Sequence, residues 1–305
     1  MKGGILIVLL AVAAGLAMTT EFTQNHRIMQ GAGSKLNIKD LSEHGLKIIG
    51  PSDPSYDNVA SALFPETQSA ALQALRPYSV ILKNTSDRII IACRLKWEFT
   101  EASGRVKTEP RGFITFGPFM GLGAANTDPN TNSNIIKSNS TWLFTPSIMD
   151  VRYMKTDGSV GGNNAARMHA EYLQTLAAKL VQYTSITVSL DGVFFDDGTF
   201  VGPDETNFFA YVEALQKARH DVFREVESGI KQGKIATELL NHISRLAEAP
   251  EVRLSSASTS SDFYNFQRKI VAKEVLKVRK KAGNEQAIKF SVEQISKPWL
   301  DLRKR

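Results

Sequence analysis

Between Tyr78 and Phe99 the sequence reads YSVILKNTSDRIIIACRLKWEF. Tyr78, Val80 and Leu82 alternate with Ser79, Ile81 and Lys83. Ile89, Ile91, Cys93, Leu95 and Trp97 alternate with Ile90, Ala92, Arg94, Lys96 and Glu98. A period of two places successive side chains on opposite faces of an extended strand, and NTSD between the runs is turn material. The pattern predicts an antiparallel hairpin with one buried face.

The neighbouring text extends this texture. GFITF, STWLFTP and ITVSL supply further short strands, while AARMHAEYLQTLAAKLVQY, with Met168, Tyr172, Leu176 and Leu180 at four-residue steps, predicts a helix inserted between them. Antiparallel strands without regular strand-helix alternation favour a sandwich over a doubly wound sheet. Residues 18–75 lack strong periodicity and read as an irregular segment with one short helix near Asn58–Leu63. After Asp204 the pattern turns helical, with stripes at Phe208, Val212, Leu215, Val222 and Val226, then Ile235, Leu239, Ile243 and Leu246. The expected fold is therefore α+β: an antiparallel immunoglobulin-like β-sandwich over 76–203, followed by a helical region over 204–305.

The N-terminus, MKGGILIVLLAVAAGLAMTT, sets one lysine before an apolar run and then small residues, the layout of a secretory signal peptide with cleavage expected after Ala17. An uncleaved N-terminal membrane anchor is the alternative. The run is shorter than the roughly 20 apolar residues of a spanning helix. The expectation is export, to the periplasm or the exterior.

YSVILKNTSDRIIIACRLKW together with ITVSLDGVFFDDGTFVGPD resembles a set of uncharacterised exported bacterial proteins whose sandwich is immunoglobulin-like in outline. The resemblance covers residues 76–204. It implies the sandwich fold, and neither an activity nor a functional residue.

Charge is segregated along the 305 residues. The formal net charge is +6, yet residues 262–305 alone hold twelve Lys/Arg against five Asp/Glu, a net of +7 that leaves −1 for the rest. DFYNFQRKIVAKEVLKVRKKAG predicts an amphipathic helix with Phe263, Phe266, Ile270, Val271, Val275 and Val278 on one side. Arg268, Lys269, Lys273, Arg279 and Lys280 lie mainly on the other. Such a helix either packs its apolar stripe on a core or meets a membrane surface or an acidic partner. Nucleic acid is not expected as a partner, since no aromatic-studded sheet or helix-turn-helix accompanies the charge.

Catalytic motifs are sparse. Ser228 and Lys231 fit a bare S-x-x-K without its companion motifs, and Glu238 with His242, or His220 with Asp221, supply too few ligands for zinc. Cys93 is the single cysteine, so an internal disulfide is excluded and a buried apolar role is expected. The glycines of GPFMGLGAANTDPNTNSN (117–134) and DGSVGGNN do not sit between a strand and a helix as phosphate loops require. No cofactor or metal is predicted.

The densest acidic cluster is SLDGVFFDDGTFVGPD (189–204). A two-residue loop at Asp197-Gly198 sets Asp191 opposite Asp204, where like charges need a shared proton or cation. A three-residue loop with left-handed Gly198 removes that pairing, and Asp204 also suits a helix cap ahead of ETNFFAYV. The leading expectation is a non-enzymatic interaction or structural protein of the envelope or exterior. The alternative is a hydrolase or carbohydrate-active enzyme, without a recognisable motif, using carboxylates near Asp191 and Asp204, which would require these two and Glu205 to converge in a pocket.

Overall fold

The computed structural model describes residues 36–63, 73–119, 134–146, 162–250, 254 and 258–305. The signal segment, nearly all of the 117–134 loop and part of the 255–261 linker lie outside the described residues. The chain is a mixed α+β protein with mainly antiparallel sheets and seven helices among the described residues. Its contacts divide it into two compact units that interleave in sequence. The first holds the described residues up to Thr85, Leu95–Arg111 and Asn139–Ser189; the second holds Ser86–Arg94, Gly112–Ser138 and Leu190–Arg305.

In the first unit β2 (Leu46–Ile49), β3 (Val80–Asn84) and β6 (Thr141–Phe144) form a three-stranded antiparallel sheet. The register aligns Ile49, Ile81 and Leu143 on one face, where the helix α1 (Tyr56–Leu63) packs Tyr56, Val59 and Ala60 against them. The Tyr56 hydroxyl donates to the Arg76 carbonyl at 2.7 Å. On the opposite face Leu46, Ile48, Val80, Leu82 and Phe144 are also buried. Val80, Ile81 and Leu82 are buried whichever face they occupy, so β3 shows no apolar-polar alternation there, while Lys47 and Lys83 carry the end of the α1 face to solvent.

The strands of the second sheet are β1 (Leu36–Lys39), β4 (Ile90–Thr100), β5 (Val106–Ile114), β7 (Ser185–Phe195), β8 (Thr199–Val201) and β9 (Arg303–Lys304). They run in the order β5-β4-β7-β8-β9, with β1 paired to β7. The hairpin expected between YSVILKN and RIIIACRLKW does not form. β3 pairs with β2 and β6, whereas β4 pairs with β5 and β7. Thr85, placed by the sequence in the turn, instead bonds to the Gly45 carbonyl through both its amide and its hydroxyl. Two pairings are parallel, β1 with β7 and β8 with β9, which an all-antiparallel sandwich would not contain.

Within the first unit Trp97 stacks on Phe99 at 6.3 Å, and Phe99 meets Tyr183 at 5.1 Å, just beyond the inserted helix α3 (Gly162–Leu180). In the second unit Ile91, Ala92, Phe119, Phe194, Phe200, Phe208 and Val212 form one core, with Phe119 at the end of the short helix α2 (Phe116–Phe119).

The remaining helices, α4 (Phe208–Lys231), α5 (Ala236–Glu248), α6 (Ser260–Ala282) and α7 (Asn284–Ile295), surround a second core that includes Phe223, Val226, Leu240, Ile243, Val271, Val275 and Ala287. A capping box starts α6: the Thr259 hydroxyl accepts from the Asp262 amide while the Asp262 carboxylate accepts from the Thr259 amide. Buried Arg219 of α4 reaches Glu274 of α6 with two parallel bonds of 2.7 and 3.0 Å, the geometry that gives a guanidinium-carboxylate pair its direction.

Candidate functional site

The acidic hairpin adopts the three-residue loop. Phe194 pairs with Phe200 and Val193 with Val201, Gly198 has φ +82°, and its amide donates to the Phe195 carbonyl at 3.0 Å. Asp191 therefore meets Asp204 through the backbone, its carbonyl accepting from the Asp204 amide at 2.9 Å. The two carboxylates take separate partners.

The Asp191 side chain is buried and accepts from the Thr206 amide at 3.2 Å and from the Thr206 hydroxyl. That hydroxyl in turn accepts from Arg94 Nη1 at 3.5 Å. The Arg94 guanidinium lies 4.2 Å from the Phe208 ring centroid and 5.3 Å from that of Tyr211. Burial pushes the Asp191 carboxyl above its ordinary value, the Thr206 bonds offset part of this, and the Asp204 charge adds to it. Burial likewise lowers Arg94, against the opposing pull of Asp191.

Asp204, in a left-handed conformation at φ +58°, accepts from the Phe209 amide at 2.9 Å and from Lys304 Nζ at 2.7 Å. It caps the first turn of α4 from outside, because Asn207 at the cap position makes no side-chain cap bond. Asp197 accepts from the Thr199 amide at 2.9 Å, from the Thr199 hydroxyl at 3.0 Å and from Arg88. Partial burial opposes its charge, but the bonds from Thr199 and Arg88 outweigh that and hold its carboxyl below the ordinary value. Glu205 is exposed.

Phe194 gathers Phe119, Phe200, Phe208 and Phe209 at centroid distances of 4.9–5.7 Å. The stretch that reads as an acid cluster is thus an aromatic core with its acids spent on turns, caps and one part-buried hydrogen-bonded triad.

The other sequence candidates also take structural partners. The Cys93 thiol is fully buried and pushed up by that burial. Lys231 pairs with Glu227 at 2.9 Å. His242 contacts Glu225 at 3.2 Å rather than Glu238. His220 meets the Trp299 ring edge-on at 5.7 Å, while Asp221 accepts from Lys217 at 3.1 Å and from the Tyr264 hydroxyl at 2.8 Å. Burial, reinforced by Asp221, pushes Tyr264 up to about 12. No group of three or more His, Cys, Asp or Glu that could hold a metal occurs among the described residues.

The basic helix splits its cations. Arg268 pairs with Glu225, Lys269 donates to the Ala249 carbonyl at 2.6 Å, and Arg279 donates to Asn284 at 2.9 Å. Lys273 and Lys280 are exposed, as are Lys277 and Lys281, which the sequence reading passed over. These four make no ion pair among the described residues, and at 100° per residue they fall on one face of α6. The buried face is Phe263, Gln267, Val271, Ala272 and Val275. Relative to expectation the stripe is rotated: Gln267 turns inward to bond with Tyr211, and Ile270 is 41% exposed beside the lysines. The signal for Lys277 and Lys281 was present in their i, i+4 spacing from Lys273 and from each other.

No protein family, curated protein or solved structure matches the chain. No helix among the described residues is long and apolar enough to cross a membrane.

Proposed function

We propose that the chain is an exported, non-enzymatic interaction protein of the periplasm or exterior, which docks on an anionic envelope surface through Lys273, Lys277, Lys280 and Lys281. The observation that carries this reading is the contrast within α6: its apolar stripe is consumed by the helical core, while four lysines on the far side stay solvated and unpaired among the described residues. A helix already seated on a core cannot bury that stripe in lipid, so the contact is electrostatic, worth about 1 kcal/mol per lysine near an anionic bilayer. Export is supported by the leader-like N-terminus. A non-enzymatic role is supported by the occupied oxygens of Asp191 and Asp204, both accepting from groups of the fold.

The same reading takes the three-stranded sheet as one layer of an immunoglobulin-like sandwich. What supports it is the buried face of Leu46, Ile48, Val80, Leu82 and Phe144, which lies opposite the face that α1 covers and requires a second cover. Co-sedimentation with phosphatidylglycerol-containing and with phosphatidylcholine vesicles tests the docking. Binding is expected to the first and not the second, and equal partition to both would remove the proposal.

A further inference from the structure

After α7 ends at Ile295 the chain runs on to β9, which pairs with the edge of β8. β9 pairs in parallel, Thr199 opposite Arg303 and Phe200 opposite Lys304. The Arg303 amide donates to the Gly198 carbonyl and the Arg305 amide to the Phe200 carbonyl, each at 3.1 Å. Leu300 and Leu302 pack on the core of Phe194, Phe200 and Phe208. Lys304 reaches Asp204 at 2.7 Å, and the Arg303 guanidinium donates to the Asp197 carbonyl at 3.0 Å.

Main-chain bonds to a sheet edge, with alternate side chains in fixed seats, are the means by which folded domains capture extended peptides. Two features make this seat exchangeable. The paired segment is two residues long and both are exposed. The Trp299 indole Nε1 is buried without an acceptor among the described residues, and a buried donor left unpaired opposes the seating of its side chain. A strand that keeps the leucines and the cation but lacks that indole avoids this cost, and gives up the ring's packing on the helical core and His220.

We propose that the β8 edge is a peptide-binding site, filled in cis by residues 299–305. It takes an extended segment of a partner protein carrying two aliphatic side chains two residues apart and a cation two residues further on. Asp204 selects the cation, and the Phe194–Phe200–Phe208 core selects the aliphatic pair. The site is independent of the lysine face on α6.

The test is titration of a fluorescent peptide of residues 299–305 into the chain shortened to residue 298 and into the intact chain. Saturable binding to the shortened chain is expected, with binding to the intact chain at least about tenfold weaker because its own segment competes at a high effective concentration. A Lys304→Glu peptide is expected to lose about tenfold, because it exchanges the attraction to Asp204 for a repulsion of similar size. Gly198→Ala in the shortened chain lowers binding as well, because a Cβ there would overlap the position of the Asp301 carbonyl. If the shortened chain does not fold, a protease site placed between Ser296 and Pro298 and cut after folding gives the same readout: the freed segment must dissociate on dilution. A folded shortened chain that ignores the peptide, or a cut segment that stays bound, overturns the proposal. So does a dimer held through residues 299–305, since the occupant would then be a second copy.

Discussion

The acidic hairpin, whose charged residues are all aspartates, and the basic helix, where cations outnumber acids, treat their charges in opposite ways. Asp191, Asp197 and Asp204 each accept at least two hydrogen bonds from the fold. Lys273, Lys277, Lys280 and Lys281 stay solvated on a helix whose other side is core. Charge density therefore does not locate a working surface; the supply of internal partners does. An acid beside backbone amides becomes a cap or a turn, and a lysine four residues from another lysine has only solvent or a foreign anion to meet.

The largest expected effect comes from breaking the hairpin side. Asp191→Ala leaves the Thr206 amide and hydroxyl without their acceptor and Arg94 with the more weakly acting Asp204 charge to offset its burial, and about 2–4 kcal/mol of unfolding free energy should be lost in urea titration. A loss below about 1 kcal/mol would mean the hairpin acids are not structural, and the contrast would fail.

Gly112→Ala ranks next. A Cβ there would overlap the Cys93 carbonyl oxygen, a backbone atom with no rotamer to give way, so thermal unfolding should report about 1–3 kcal/mol of destabilisation. Unchanged stability would show that β4 and β5 can separate at this point.

Asp204 sharpens the comparison by separating two roles in one carboxylate. Asp204→Ala loses the bond to the Phe209 amide, costing about 1–2 kcal/mol. Asp204→Asn can retain that bond and loses only the attraction of half-exposed Lys304, under about 1 kcal/mol. Equal losses would assign the whole effect to the charge pair.

Protonation gives a smaller, signed effect. The raised Asp191 carboxyl binds its proton more tightly in the folded chain than in the unfolded one. Its contribution to stability therefore falls as pH rises from the unfolded aspartate value, about 3.9, through its folded value. Asp197 and Asp221, held below the ordinary value, act oppositely: the stability they add is present above the unfolded value and is lost as pH falls through their folded values. In urea titrations carried upward from about pH 3 over about four units, the stability of the native chain relative to Asp191→Asn should decline. A rise would contradict the burial of Asp191.

Much of this was legible in the sequence, and the failures have physical causes. Alternation at Val80–Leu82 and Ile91–Trp97 identified strands, and the spacing of Phe208, Val212 and Leu215 identified a helix, because both patterns depend on local geometry. The partner of each strand was not legible. NTSD looks like a hairpin turn, but pairing is decided by distant contacts such as Thr85 with the Gly45 carbonyl. The parallel addition of β9 was equally hidden, since two residues carry no period. At the hairpin both loop lengths were open from sequence, and the aromatic cluster around Phe194 accompanies the longer loop. On α6 a half-wheel count placed Ile270 inward, and the bond from buried Gln267 to Tyr211 shows why the helix turns the other way.

The central claim, that the working charge is the solvated lysine face, meets its most direct test in vesicle binding as a function of salt. The native chain is compared with Lys273→Glu/Lys277→Glu/Lys280→Glu/Lys281→Glu, whose stability should change by less than about 0.5 kcal/mol because all four positions are exposed. Native binding to phosphatidylglycerol-containing vesicles should weaken steadily as salt rises, since the Debye length contracts from about 10 Å at 0.1 M to about 3 Å at 1 M. At low salt the fourfold variant should bind about a thousandfold less, the loss of about 4 kcal/mol. Binding that ignores salt, or a folded variant that binds like the native chain, would contradict the account.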